Sequence, residues 1–544
     1  MARLFKPQRP KKPHSSVGRS KRSCGAGDSQ KCTPVTLNIS GYSHDTRGVS
    51  RDQKKPIFVE GALEGETVTA EIIQEEKSFS QARLVDVQVA SHDRVAPCCP
   101  HYGQCGGCHW QHLRSDRQIE VKQSLLLDQL QRHAKVRPQE VAPPLLSSSE
   151  GYRYRARLSI WHDKHGQVTL GFREQSGKTV VAIQECPVLV APLSLLIDPL
   201  RQWLNRVSAD AAKTARQSLT RQSLKHTLKQ LPVKHIELLF DGERIAVVVR
   251  CSMGKSNRSF GHDNGYELQS CLTDALSGQS VDVWYLGDDQ NLVYMAPGDK
   301  GKAVGPQMES VVGPQMEPKE APVYSVRHPS WDVRLNFSPI DFTQVNFDVN
   351  QAMVRQAVNW LCSEFTNPKS LRVLDLFCGV GNFSLPLAKE VGQVIGVEAI
   401  ASMTQKAQHN AMLNGIDNAC FVAADLTAVE VSNPLDTRWL GNIRRALNVS
   451  QNDSLNQSDP LNQSDPLKMD AVVLDPPRAG ALEVLPVLSK LGVQCIVYVS
   501  CNPATLVRDA KALGALGYDL RRIGVMDMFP HTKHVESMAL FVKA

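Results

Sequence analysis

Apolar and polar positions divide the chain into stretches of different rhythm. Between residues 35 and 90, short apolar runs (Val35-Thr-Leu37-Asn-Ile39, Ile57-Phe58-Val59, Thr67–Ile73, Leu84–Val89) are split by Gly41, Gly48, Gly61 and Gly65. Several short strands with turn signals in so few residues predict a small β-barrel of the oligonucleotide-binding kind. Residues 97–109 read as a cysteine-rich loop, and an amphipathic helix is expected around Arg117–Arg132. From Tyr152 to about 345 the chain is mixed and strand-rich, as in Ile245-Ala-Val-Val-Val-Arg250. Beyond about 346, apolar strands alternate with helical stretches: Leu371–Phe377, Val394–Val397, Cys420–Ala423, Ala471–Leu474 and Cys495–Ser500. That alternation predicts a doubly wound α/β domain with a parallel sheet. Ligands in such sheets lie at the carboxyl ends of the strands, so the chemistry is expected just after those five runs.

The organisation expected is a tail (1–34), a barrel (35–95), a central α+β domain (96–345) and the α/β domain (346–544). Residues 110–135 can pack on either of the last two domains. Two six-residue repeats, Val304–Glu309 echoed by Val312–Glu317 and Leu455–Pro460 by Leu461–Pro466, are too few and too short for a solenoid. They mark polar surface insertions expected at 298–322 and 440–468.

Composition narrows the class. With 544 residues, 42% hydrophobic and 22% charged, the chain is neither wholly disordered nor fibrous. No apolar run approaches the ~18 residues of a membrane span, and the start lacks the apolar core of a secretory signal. A soluble cytoplasmic monomer is expected, without membrane association. Of the net charge of +7, residues 1–34 carry +8, from nine Lys/Arg against Asp28, which leaves −1 for the rest. With Pro7, Pro10 and Pro13, this segment reads as a disordered solubility tail or as a phosphate-seeking arm for nucleic acid. The 14 cysteines, in a reducing compartment, read as thiols and metal ligands rather than disulfides.

Three constellations carry chemistry. In Asp375-Leu-Phe377-Cys-Gly379-Val-Gly381-Asn382 a strand runs into a glycine turn that lets a ligand approach the backbone closely. Glu398 ends the next strand, where a carboxylate can accept from both ribose hydroxyls, and Asp425 follows the third. No third glycine is placed for a pyrophosphate, which favours S-adenosylmethionine over a dinucleotide. Second, Asp475-Pro-Pro-Arg478 follows the fourth strand and Ser500-Cys501-Asn502-Pro503 the fifth. Asn502 is a good N-cap and Pro503 suits a first helical turn. Cys501 is therefore expected at a helix N-terminus, with its thiolate stabilised as a nucleophile. Cys378, Cys420 and Cys495 read as inert core residues. Third, Cys99-x5-Cys105-x2-Cys108 has a distant companion in Cys186. Four thiolates hold either zinc or a [4Fe–4S] cluster. His101, His109 and His112 keep zinc open, while the Cys-Pro pairs at Cys99 and Cys186 tilt the reading to iron–sulfur.

The sequence resembles the RNA (uracil-5-)-methyltransferase family, most closely its bacterial 23S ribosomal RNA branch, over about residues 35–544 without the two insertions. The resemblance rests on the barrel segment Phe58–Glu66, the cysteine loop, Phe342-Thr-Gln344-Val-Asn346, the glycine turn, Asp475–Arg478, Ser500–Pro503 and Phe529–Ser537. It implies a TRAM-type barrel and an S-adenosylmethionine-dependent methyltransferase that acts on C5 of a uracil in 23S rRNA, position 1939 in the family. It implies [4Fe–4S] ligands at Cys99, Cys105, Cys108 and Cys186, and cofactor contacts at Gln344, Phe377, Asn382, Glu398, Asp425 and Asp475. Cys501 matches the nucleophile and Glu536 the base, and Phe342 offers a stacking face for the target base. The chain departs from the pattern at Pro477, where alanine is usual, at Lys533, where glycine is, and at Asp425, where asparagine is. None of these removes a reacting group.

Two rivals keep the chemistry but change the RNA: another rRNA uracil, or the T-loop uridine of tRNA. The barrel and cysteine loop speak against the second. From a different class, a catalytically silent rRNA-binding assembly factor is opposed by the presence of Cys501 and Glu536.

Overall fold

The computed structural model describes residues 34–544 apart from 163–166, 176, 178, 219–232, 252–257, 289–291, 296–320, 427–438 and 446–466. The basic tail up to residue 33 and both repeats lie outside the described residues. No helix among those described is long and apolar enough to cross a membrane.

The first sheet has five strands in the order Val35–Asn38, Thr67–Glu75, Ser80–Val89, Ile57–Glu60, Gly48–Ser50. Alternation places Leu37, Val59, Val68 and Ala70 in its core. Ser40 N donates to Val49 O (2.9 Å) and Val49 N to Gly41 O (2.8 Å), which joins the first strand to the last and closes the barrel. The strand Gly48–Ser50 is absent from the sequence reading, because three residues are too few to show a period.

A second, seven-stranded sheet carries the central region, with Arg155–His162 beside Val233–Phe240 and Ile245–Cys251 at its middle. Its core face packs on the helix Ile197–Ser218 through Leu200, Trp203 and Leu204.

The third sheet positions the site. Its eight strands run Ala419–Ala423, Gln393–Glu398, Arg372–Leu376, Ala471–Leu474, Cys495–Ser500, Glu536–Lys543, Tyr518–Met526 and Glu140–Val141. The first five are parallel, and Glu536–Lys543 runs antiparallel beside Cys495–Ser500. This is a doubly wound α/β architecture, accompanied by the N-terminal barrel and a mixed central region. Near-continuous apolar runs such as Cys495-Ile-Val-Tyr-Val form its strands because both faces are covered.

Two segments N-terminal to the central sheet belong to this third layer. The helix Ser115–Gln129 and its continuation bury Ile119, Leu126 and Leu130 in the core with Leu506 and Ile523. Glu140–Val141 adds an edge strand to Tyr518–Met526. The insertion expected at 440–468 also needs correcting at its ends. Leu440 and Ile443 are fully buried and Leu467 nearly so, all in the same core, so these flanks of the expected insertion belong to the packed domain.

Candidate active site

The parallel strands deliver their carboxyl ends to one edge. Strand Arg372–Leu376 ends at Phe377, whose φ of +67° is a left-handed turn of the chain, followed by Gly379 and Gly381 at +57° and +97°. The strained turn is held from the neighbouring strand: Phe377 N donates to Val397 O at 2.8 Å and Gly379 N to Glu398 Oε2 at 3.3 Å. Glu398 Oε1 accepts from Ile400 N (3.1 Å), so the carboxylate bridges both loops. Asp375 is fully buried and accepts from Ser384 Oγ, while its Oδ1 finds no partner. Burial pushes Asp375 up to about 7. Asp475, just past the fourth strand, is likewise pushed up to about 7 by burial alone. Buried carboxyls without a cationic partner at such an edge suit a cationic ligand that would favour their ionised form.

The remaining expected cofactor residues lie on several segments. Gln344 and Phe342 lie on a segment pinned by Tyr154 N donating to Val345 O (2.8 Å) and by Asn346, the N-cap of helix Phe347–Ser363. Phe342 is 73% exposed. Asn382 exchanges two amide hydrogen bonds with Asn350 (2.9 and 3.0 Å) and meets His328 Nε2 at 3.1 Å. Asn350 and His328 escaped sequence reading, since neither stands in a motif. Asp425 is exposed after the third strand.

The antiparallel strand sets the chemistry. Its register pairs Ser537 with Ser500, which brings Glu536 alongside Cys501, two residues 35 apart in sequence. Asn502 caps the helix Pro503–Ala515 by accepting from Ala504 N (3.2 Å) and also donates to Arg478 O (3.0 Å). Asp509, inside that helix, accepts from Ala481 N (2.8 Å) and from Tyr498 OH (2.7 Å). The loop from Asp475 is thus fastened to the helix that follows Cys501.

The expected thiolate needs correcting. Burial pushes the Cys501 thiol up to about 11, aided by Glu536 and Asp475 and opposed by Arg478. The helix N-terminus is outweighed because these acidic neighbours arrive from other strands. Glu536 is pushed up to about 8, first by burial and then by Asp475, against Arg478 and Lys122. A carboxyl near 8 beside a thiol is suited to proton transfer near neutral pH. Cys378 and Cys495 are buried and Cys420 is half-buried.

Cys99, Cys105, Cys108 and Cys186 line one cavity of ≈ 110 Å³ together with Tyr102, Tyr152 and Arg153. Cys98 is exposed and does not line it. Burial pushes Cys108 up to about 12 and Cys186 up to about 11, and in both cases the other thiols of the set add to the rise. Among the described residues no three His, Cys, Asp or Glu side chains are arranged to hold a metal ion.

A sequence profile of the family described as tRNA (Uracil-5-)-methyltransferase matches residues 332–544. The chain is 37% identical to the 23S rRNA (uracil(1939)-C(5))-methyltransferase RlmD of Shewanella sediminis, over 94% of this chain and 96% of that protein. It is equally 37% identical to the RlmD of Alkalilimnicola ehrlichii, over 93% and 96%. Among solved structures, the Pyrococcus abyssi tRNA (uracil-54, C5)-methyltransferase in complex with S-adenosyl-L-homocysteine aligns with a TM-score of 0.60 at 24% identity, covering 93% of this chain and 100% of that one. That structure supports the fold, and the relatives settle the lineage: the chain belongs to the RNA (uracil-5-)-methyltransferase family.

Proposed function

We propose that this protein transfers a methyl group from S-adenosylmethionine to C5 of one uracil in 23S rRNA, position 1939 by analogy with its relatives, giving 5-methyluridine. The observation that carries the reading is the cross-strand placement of Cys501 and Glu536 beside the glycine-turn edge. The cofactor's side chains would be Gln344, Phe377, Asn382, Glu398, Asp425 and Asp475, and the raised, buried carboxyls fit its positive charge. When bound, it supplies a methyl group activated on a sulfonium.

The protein's own groups do the rest. The target base leaves its stack, and exposed Phe342 gives it a face to rest on. Cys501 Sγ, once deprotonated, bonds to C6; the C5–C6 π electrons move onto C5 and the C4 carbonyl, making C5 nucleophilic. After methylation, Glu536 removes the C5 proton. That electron pair restores the C5–C6 double bond, the C6–Sγ bond breaks, and the thiolate returns.

Cys99, Cys105, Cys108 and Cys186 are read as the ligands of a [4Fe–4S] cluster, supported by their shared cavity and mutual repulsion. No redox step is needed, so the cluster would serve a structural or RNA-positioning role. The division at 35–95, 96–345 and 346–544 follows the three larger sheets, except that Ser115–Gln129 and Glu140–Val141 pack with the last of them. The protein works as a cytoplasmic monomer, since one chain supplies both reacting groups.

The test uses Glu536→Gln with S-adenosylmethionine and unmethylated 23S rRNA. Elimination is blocked, so a protein–RNA adduct resistant to detergent accumulates, and it disappears in Cys501→Ala/Glu536→Gln. An adduct persisting without Cys501 contradicts the mechanism.

A further inference from the structure

The helix Ser115–Gln129 buries two polar side chains one turn apart, Gln118 at 0% and Lys122 at 1% exposure. A helix that packs on a core by its apolar stripe has no need of either. Both reach across to the segment that carries Glu536. Gln118 Oε1 accepts from His531 N (2.9 Å), while its amide donates to Leu113 O (2.7 Å) and Trp110 O (3.0 Å). His531 O in turn accepts from His109 N (2.7 Å) and Trp110 N (3.0 Å). Lys122 Nζ donates to Phe529 O (3.2 Å) and pairs with Asp527 Oδ1 (3.3 Å). Residues 527–536 are thereby held at two points by one helix face.

Resting on the functional reading above, we propose that Lys122 is a positioning residue for the catalytic base: its buried side chain, bonded to Phe529 O and paired with Asp527, fixes the segment 527–536 that presents Glu536 to the site. The charges facing Glu536 come from every neighbouring element. Asp475 and Arg478 lie on the loop after the fourth strand, Cys501 on the loop after the fifth, and Lys122 on the helix. His534, in the segment itself, faces Arg478 and Lys122. Burial and Asp475 favour the protonated carboxyl, and Lys122 is one of two cations that oppose them. Burial also pulls Lys122 down, which Asp527 partly offsets, and burial in turn pushes Asp527 up.

The sign follows. Removing a cation raises the pKa of a neighbouring carboxyl, so the base ionises at higher pH and the rate lags on the acid side. The experiment is the single-turnover rate at which methylated RNA is released from its adduct with Cys501, the step Glu536 serves, against pH for the full chain, as wild type, Lys122→Met, Lys122→Arg, and Lys122→Met/Asp527→Asn. The double variant leaves no unpaired buried charge and covers a folding failure of the single one. Both Met variants are expected to move the rising midpoint up by about one pH unit, close to a tenfold loss on its acid side. The rate recovers as pH rises, and Lys122→Arg keeps the wild-type midpoint. A rate lowered equally at every pH with an unmoved midpoint overturns the proposal, leaving Lys122 a packing residue. If wild type transfers no methyl group at all, the functional reading falls and takes this inference with it.

Discussion

Asp375, Asp475, Cys501 and Glu536 share the carboxyl edge of the large sheet, and burial holds each toward its protonated form. The cost of ionising any of them is lowered by a neighbouring cation and raised by a neighbouring anion. Glu536 ionises near 8, below the thiol near 11, so the thiol titrates beside a negative charge. Glu536→Gln removes that charge and is expected to shift the pH midpoint for alkylation of Cys501 by iodoacetamide down by about one unit. Peptide mapping separates Cys501 from the other thiols. A midpoint that stays or rises contradicts the electrostatic picture. The identity of Cys501 was legible from its Ser-Cys-Asn-Pro setting, but its protonation was not. The dipole of a following helix is a local property, whereas Glu536 and Asp475 come from remote strands.

Among elements, the five parallel strands announced themselves as apolar runs, because sheets covered on both faces need no polar positions. The strands Tyr518–Met526 and Glu536–Lys543 are not visible in the sequence pattern, although the second carries Glu536, the proposed base. Pairing partners and direction are not written in a strand's own composition. Glu140–Val141, two residues long, carries no period at all. The cysteine loop shows the reverse case: spacing named the four thiols, but their convergence depends on Cys105 bridging to Glu174 on the central sheet and on Cys186 following it. Anaerobically purified protein is expected to show broad iron–sulfur absorption that is lost on Cys186→Ser, with a lowered melting temperature. A variant that keeps both its absorption and its melting temperature contradicts the four-thiol assignment.

At the scale of the whole molecule, the barrel docks just past the cysteine loop, where Trp110 Nε1 donates to Thr46 O (3.1 Å) and the Trp110 ring lies tilted at 60° against Tyr42. The same loop touches the base-bearing segment through His531 O. Barrel, cysteine loop and catalytic edge therefore form one connected body, which gives a large RNA several surfaces around one reacting uracil. The central claim is that this body methylates a uracil of 23S rRNA through Cys501. The most direct measurement supplies labelled S-adenosylmethionine to unmethylated 23S rRNA and, separately, to tRNA, and maps the product at nucleotide resolution. The account predicts 5-methyluridine at a single 23S position, absent with Cys501→Ala. Label confined to tRNA, or label that survives the loss of Cys501, contradicts it.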